Sequence, residues 1–163
     1  NALVTEFDDS LKNIVQAMLH VMYKSKGIGL AAPQVGINKR IMVFNHLAEL
    51  MPRSVARNAE TVLINPKISQ RSENIVYNEE QCLSFPRIAG EVGRSDSLNV
   101  CYQTESGEKR EKVMEGDEAI VFQHEYDHLD GVFLIDHFNE EDRARNQVNL
   151  DKLISKYGPG GAV

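Results

Sequence analysis

The residues of this chain best suited to catalysis are two histidines and the glutamate that follows the first of them. They stand in the stretch His124-Glu125-Tyr126-Asp127-His128. On a helix of about 3.6 residues per turn, residues four apart lie on one side, so both imidazoles can bind one metal ion. A bound divalent ion lowers the pKa of water from about 15.7 toward about 7, and Glu125 can then take the proton and return it to a leaving nitrogen. The pattern favours metal-assisted hydrolysis.

The same pattern also occurs in unrelated proteins, where the histidines are packed or solvated side chains without a metal. A third ligand downstream is poorly supported. The stretch HEYDHLDG fits the first eight places of the metzincin pattern HExxHxxGxxH, but Leu134 stands where the third histidine is required, and His137 comes three residues later. Glu140 and Glu141 come too soon for the spacing of thermolysin-like enzymes.

A better third ligand is Cys82, which follows a predicted strand in the stretch EEQCLSFP. A buried structural cysteine and a disulfide with Cys101 are the alternatives for this residue. One thiolate with two imidazoles gives a tetrahedral metal with one open position, which is typical of catalytic sites. A donor set of this softness suits iron(II), zinc, nickel or cobalt better than magnesium or calcium.

The overall composition is that of a soluble globular protein. The chain has 163 residues, of which 42% are hydrophobic and 26% charged, and a length that fits one domain with a substantial core. Its net charge of −6 and the lack of a long basic run weigh against direct nucleic-acid binding. No apolar stretch approaches the roughly 20 residues of a membrane span, and the two cysteines form no disulfide framework. We therefore expect no membrane contact and a reducing intracellular compartment.

Three helices are expected. The first is capped by Asp9 or Ser10 and ends at Gly27, and its apolar residues recur with helical spacing. A second helix over 117–129 carries the two histidines on one face, with Ala119, Ile120, Val121 and Phe122 around it. A third spans about 140–157 and is stopped by the sequence GPGG.

Short strands separate these helices. We expect strands in RIMVFN, in TVLINPKI as far as Pro66, and in NIVYNEE, and a hairpin formed by SLNVCYQT and KREKVME around a turn at ESGE. Residues 51–60 are predicted to form an exposed loop. Strands around an isolated helix indicate an α+β domain, not repeated βαβ units.

Three strings together, GIGLAAPQVG (27–36), EQCLS (80–84) and QHEYDH (123–128), resemble the peptide deformylase family, whose members remove the formyl group from N-formylmethionine. The similarity runs from about residue 9 to about residue 137. The resemblance implies an α+β fold with antiparallel β-sheets packed around a central helix carrying HExxH, plus a C-terminal helix. It also implies a single catalytic domain over 1–163, with little of the segment that family members carry before their first helix.

The resemblance assigns roles to six residues. It implies that metal-activated water attacks the formyl carbon and that formate and a free amine are released. The metal ligands are Cys82, His124 and His128, the general acid and base is Glu125, and the oxyanion donors are the Gln34 side-chain amide and the Leu83 backbone N–H.

Further residues are expected to bind the substrate or support the ligands. The backbone of Ile28 and Gly29 can hold the peptide as an added strand, and the side chains of Ile28 and Val121 border a methionine pocket. Asp127 is expected to pair with Arg94, with Glu80 joining them. The alternative for these three is an ordinary surface ion pair, which stabilises little.

The resemblance also implies a cofactor, partners and a location. The cofactor is one divalent ion, with Fe²⁺ as the physiological metal and Zn²⁺, Ni²⁺ or Co²⁺ as substitutes in a purified sample. The partners are N-formylmethionyl nascent peptides and, transiently, the ribosome. The stretch SFPRIAGEVGR is similar to organellar-type members, so the expected location is a bacterial cytoplasm, a plastid or a mitochondrion.

One departure from the family pattern keeps two alternatives open. Gln81 stands where the family string EGCLS has glycine, and we expect this change to reshape the cleft edge or to lower activity. A non-catalytic relative that binds nascent chains or the ribosome is one alternative, although it would not need Glu125. A metzincin-type zinc protease that uses His137 in place of Cys82 is the other.

Overall fold

The computed structural model describes residues 1–48, 50, 51 and 57–158. Within them, the expected α+β architecture is confirmed: antiparallel strands form two sheets, and three α-helices pack against them. No helix among these residues is long and apolar enough to cross a membrane.

The first helix, α1, spans Asp9–Lys24 and buries the predicted apolar stripe against the sheet. Asp8 is the N-cap, since its carboxylate accepts a hydrogen bond from the Leu11 N–H at 3.0 Å, so the prediction of Asp9 or Ser10 was one or two residues late. The helix ends at its C-cap Ser25. Gly27 follows the helix, and its N–H donates to the Met22 carbonyl at 2.9 Å.

The helices α2 and α3 span Gly116–Asp130 and Glu140–Tyr157. The bounds of α3 confirm the prediction, with Asn139 as its N-cap and Gly158 as its C-cap; residues 159–163 of the GPGG stop lie outside the described part of the chain. α2 contacts strands of both sheets and is therefore the central helix that carries the histidines. Ala119 and Phe122 are fully buried on it, as part of the core.

The strands of the described residues are β1 (Gly29–Ala31), β2 (Ile41–Phe44), β3 (Thr61–Arg71), β4 (Ile75–Gln81), β5 (Ala89–Ser95), β6 (Ser97–Gln103) and β7 (Lys109–Glu115). The predicted hairpin is confirmed as the antiparallel pair of β6 and β7. Among these residues, five strands form the larger sheet in the order β1-β2-β3-β6-β7, and β4 pairs with β5 in the smaller one.

Two strand predictions need correction, and β1 lies in the stretch GIGLAAPQVG, for which no strand was predicted. β3 does not stop at Pro66 but continues to Arg71, because a register shift between Ile64 and Lys67 places the proline in a bulge. β5 was not predicted at all. Its inward positions are Gly90, Val92 and Arg94, so the strand lacks the apolar alternation that reveals most half-buried strands.

The predicted loop over residues 51–60 lies partly outside the described residues, since 52–56 are not described. Residues Arg57–Ala59 form a short 3-10 helix, and β3 begins directly afterwards.

Candidate active site

The two elements that carry the predicted metal ligands are α2 and β4. His124 and His128 lie one turn apart on α2, with ring centroids 5.2 Å apart. β4 ends at Gln81, so Cys82 continues the face of the strand that buries Glu80. The packing of α2 against this end of the strand brings together residues more than 40 positions apart in the sequence.

The ligand atoms of Cys82, His124 and His128 all lie within 4.8 Å of one another. The Cys82 Sγ is 3.2 Å from the His128 Nε2. The His124 Nδ1 is hydrogen-bonded to a Glu80 oxygen at 2.8 Å, so Nε2 is the His124 ring nitrogen that faces the Cys82 sulfur and can bind a metal. One sulfur and two imidazole nitrogens at this spacing fit a divalent transition metal.

The electrostatics around Cys82 favour the thiolate, which is the form that binds metals. Burial opposes ionisation, but hydrogen bonds with His124 and His128 outweigh it and lower the pKa of Cys82 to about 5. Burial likewise opposes the charge of Glu80, and hydrogen bonds with Arg94 and His124 outweigh it, lowering the pKa of Glu80 to about 2. Both anions are therefore available to a bound cation and its ligands.

Arg94 connects the helix and the strand below the ligands. Its guanidinium holds Glu80 through two hydrogen bonds of 2.8 and 3.0 Å, and it holds Asp127 at 2.6 Å. The expected pairing of Asp127 with Arg94, with Glu80 joining, is therefore present. Arg94 is 5% exposed, so the alternative of an ordinary surface ion pair does not apply.

His137, the alternative third ligand, is not part of the cluster. Its Nε2 is hydrogen-bonded at 2.8 Å to the Asp127 carboxylate oxygen that also accepts from Arg94. The two cysteines are free thiols, so the alternative of a disulfide between Cys82 and Cys101 is wrong.

Glu125 is buried beside the cluster, with 4% of its surface exposed. Burial raises the pKa of Glu125 to about 7. Its Oε2 has no hydrogen-bond partner among the described residues, and its Oε1 lies against the backbone of Gly29. A carboxylate with a near-neutral pKa and a free oxygen is suited to accept and return a proton.

Gln34 and Leu83 both lie next to Cys82 and line the cleft. The Gln34 Oε1 accepts from the Ala31 N–H at 2.8 Å, which aims the Nε2 at the cysteine, 3.8 Å from the Cys82 Sγ. The same Nε2 donates to the Ser84 hydroxyl at 3.2 Å. The N–H of Leu83 donates to no described residue and is therefore available to an oxygen atom at the site. The Gln34 Nε2 becomes available to the same oxygen when it gives up its bond to Ser84.

A cleft of about 800 Å³ opens onto these atoms. Ile28, Gly29 and Val121, the residues predicted to bind the substrate, all line it. Gln81 lines its edge with an exposed side chain.

Sequence reasoning missed several residues in or beside the cleft. Ser84 bonds to Gln34, although it stands in the string EQCLS and could have been weighed there. His46, Asn78 and Asp117 belong to no recognisable sequence motif. They reach the cleft only through the packing of the elements in which they lie.

The sequence profile of the polypeptide deformylase family matches residues 1–144. The chain belongs to the polypeptide deformylase family. It is 42% identical to peptide deformylase 1B, chloroplastic/mitochondrial, of Arabidopsis thaliana over 157 residues, which cover 96% of this chain and 56% of that protein. It is also 42% identical to peptide deformylase 1B, chloroplastic, of Solanum lycopersicum, and the matched residues are 96% of this chain and 54% of that protein. The chain thus spans just over half the length of both relatives.

Solved structures of this family share the fold. A crystal structure of peptide deformylase from Plasmodium falciparum superposes with a TM-score of 0.90 at 41% identity, covering 96% of this chain and 89% of that one. The peptide deformylase of Thermotoga maritima gives a TM-score of 0.76 at 42% identity, covering 84% and 86%. Membership of this family contradicts the metzincin interpretation, which the position of His137 also opposes.

Proposed function

We propose that this protein is a peptide deformylase, which hydrolyses the N-formyl group from the N-terminal formylmethionine of newly synthesised polypeptides. The observation that carries the proposal is the buried carboxylate of Glu125, whose Oε2 has no hydrogen-bond partner among the described residues, beside the cluster of Cys82, His124 and His128. A protein that only binds peptides has no use for such a carboxylate, because burying it without a partner is destabilising.

The cofactor we propose is one divalent metal ion, held by Cys82, His124 and His128. When bound, such an ion activates water and polarises a carbonyl oxygen. We propose iron(II) as the physiological metal, and the same donors accept zinc, nickel or cobalt.

The side chains around the cluster have separate roles in the hydrolysis. Glu125 takes a proton from the attacking water as the water oxygen bonds to the formyl carbon. The Gln34 Nε2 and the Leu83 N–H donate to the formyl oxygen as it gains negative charge, and each such donor contributes about 3 kcal/mol to transition-state stabilisation. Glu125 then returns the proton to the amine nitrogen as the C–N bond breaks, which releases formate and a free N-terminus.

The substrate peptide is proposed to bind as an extra strand. β1 is an edge strand of the larger sheet, and the backbone of Ile28 and Gly29 faces the cleft. Backbone hydrogen bonds at an edge are independent of side chains, so binding beyond the first residue would tolerate many sequences. Ile28 and Val121 are proposed to border the pocket for the methionine side chain.

Three charged residues support the ligands in this proposal. Glu80 holds the His124 ring and Arg94 holds Glu80, while Asp127 fixes Arg94 to α2. Supporting contacts of this kind fix the orientation of a ligating imidazole.

We further propose that residues 1–163 act as one catalytic domain. Its partners are nascent formyl peptides and, transiently, the ribosome. The compartment is a bacterial cytoplasm or an organelle, as the similarity to plant organellar relatives suggests.

Incubation of the protein, loaded with iron(II) without oxygen, with formyl-Met-Ala-Ser tests the proposal. We expect equal amounts of formate and Met-Ala-Ser. Formyl-Met and Ala-Ser as products would indicate a protease instead. No hydrolysis by a fully metallated sample would support a non-catalytic relative, for which Gln81 is the one favourable feature.

A further inference from the structure

Three buried side-chain polar atoms lack a hydrogen-bond partner among the described residues, and all three belong to residues that line the cleft. They are the Glu125 Oε2, the His46 Nδ1 and the Asn78 Nδ2. Native proteins leave few such atoms, and each one needs an explanation. The proposed reaction explains Glu125 but leaves Asn78 and His46 without a role.

Asn78 lies on the same face of β4 as Glu80 and Cys82, because side chains alternate along a strand. At about 3.3 Å per residue, its place on the strand is about 13 Å from that of Cys82. It therefore lines the cleft at a distance from the metal-binding atoms, where the substrate's side chain and not its formyl group would lie.

α2 runs along the same cleft in a similar way. Ile120 and Val121 line it one turn before His124, and Asp117 lines it two turns before, about 10 Å along the helix axis. With Ile28 opposite, the cleft combines apolar walls with polar groups from Asn78, Asp117 and His46. Such a cavity fits a side chain with an apolar stem and a polar end.

We propose that Asn78 is a specificity-determining residue that donates a hydrogen bond to the end of the substrate's first side chain. This inference rests on the proposed deformylase function. The terminal torsion of asparagine is broad, so the amide can turn its N–H toward an acceptor in the cleft. The class of substrate is a formyl peptide whose first side chain carries an acceptor at its δ position.

Three amino acids of similar shape can be placed as the first residue of the formyl peptide, and they differ in this acceptor. Norleucine has a methylene at the δ position and accepts nothing, whereas the thioether sulfur of methionine is a weak acceptor. Methionine sulfoxide adds an S=O oxygen, which is a strong acceptor. Asn78 should therefore favour the sulfoxide most, methionine less and norleucine least.

The test measures kcat/KM by formate release for formyl-Met-Ala-Ser and its norleucine and methionine sulfoxide analogues. Asn78→Leu should lower kcat/KM about tenfold for the sulfoxide and about twofold for methionine, and leave norleucine unchanged, which is the range of one neutral hydrogen bond. Asn78→Ala, which adds no bulk, should show the same order. Asn13→Leu, on the exposed face of α1, is the matched control and should change none of the three.

The possible failures are distinguishable. Equal factors for all three peptides in both Asn78 variants would overturn the inference while leaving the deformylase function intact. No formate from any peptide with the wild-type protein would overturn the proposed function and this inference with it.

Discussion

The carboxylate of Glu125 lies directly against the backbone of Gly29. A Cβ atom built at Gly29 would come within 2.3 Å of the Glu125 Oε1 and 2.8 Å of its Cδ. Glycine at this position of β1 is therefore a requirement of space, since α2 approaches the strand too closely for any side chain. The proposed base is thus held in place by the same strand edge that is proposed to bind the peptide.

Gly29→Ala should displace the carboxylate of Glu125 without disturbing the metal ligands. We expect kcat for formyl-Met-Ala-Ser to fall about 100-fold, since displacement of a reacting group by about 1 Å has effects of this size. The metal content, measured by elemental analysis, should stay at the wild-type level. Gly93→Ala is the control, because its Cβ would meet only the exposed side chains of Ile75 and Tyr77, at 3.0 Å. Wild-type activity in Gly29→Ala would contradict this role for the contact.

The two free cysteines offer a matched comparison for the metal site. Cys82→Ala removes one of the three proposed donors and should abolish stoichiometric metal binding and formate release. Cys101→Ala removes a thiol on β6 that donates a hydrogen bond to Glu111 at 3.6 Å and is not part of the cluster, so it should change neither. Equal metal contents in both variants, measured after gel filtration, would exclude Cys82 as a ligand.

Arg94→Met should destabilise the fold and weaken metal binding. It leaves the buried Glu80 and the partly buried Asp127 without their cation, and the loss of one partner of a buried ion pair costs about 3–5 kcal/mol. The looser His124 should also lower metal affinity by about 10- to 100-fold.

Urea unfolding of the apoprotein and metal competition with a chelator measure these two effects. Arg110→Met is the control, because Arg110 and its partner Glu108 are each 56% exposed and such pairs contribute less than about 1 kcal/mol. A similar loss of stability in both variants would show that the Arg94 network is no more important than a surface pair.

Asn65 fixes the N-terminal segment to the larger sheet. Its side chain accepts from the Val4 N–H and donates to the Val4 carbonyl, both at 2.8 Å, and its backbone is left-handed with φ at 52°. Asn65→Ala loses these two bonds and the bond from its Nδ2 to the Gln103 Oε1 at 2.8 Å, and it adds backbone strain, so we expect a loss of about 2–3 kcal/mol in the free energy of unfolding. Asn65→Gly relieves the strain and should lose less. A lower free energy of unfolding in urea for Asn65→Gly than for Asn65→Ala would contradict this explanation.

The outer helices could be predicted from the sequence because local signals specify them. α1 has a continuous apolar stripe after Asp8, and the bounds of α3 follow from Asn139 and Gly158. α2 is different, since it buries Gln123, Glu125 and His128 along with its apolar residues. Its position followed from the HExxH motif, not from periodicity.

The features that could not be predicted depend on contacts between distant residues. β5 has Gly90 where the Phe138 ring needs space and Arg94 where two carboxylates need a cation, so its inward face resembles no strand pattern. Pro66 can lie within β3 because the strand has a bulge at Asn65, where the regular pairing with β6 is interrupted. The polar lining from Asn78 and His46 likewise appears only when the elements pack together.

The most direct test of the central claim is to measure metal content and formate release on one preparation of Glu125→Gln. The amide keeps the size of the side chain but cannot accept and return a proton, and general acid–base catalysis contributes about 10²- to 10⁴-fold. We predict a full complement of metal and a rate of formate release at least about 100-fold below wild type. Near wild-type release from the metallated variant would contradict the role of Glu125, and with it the mechanism proposed for this site.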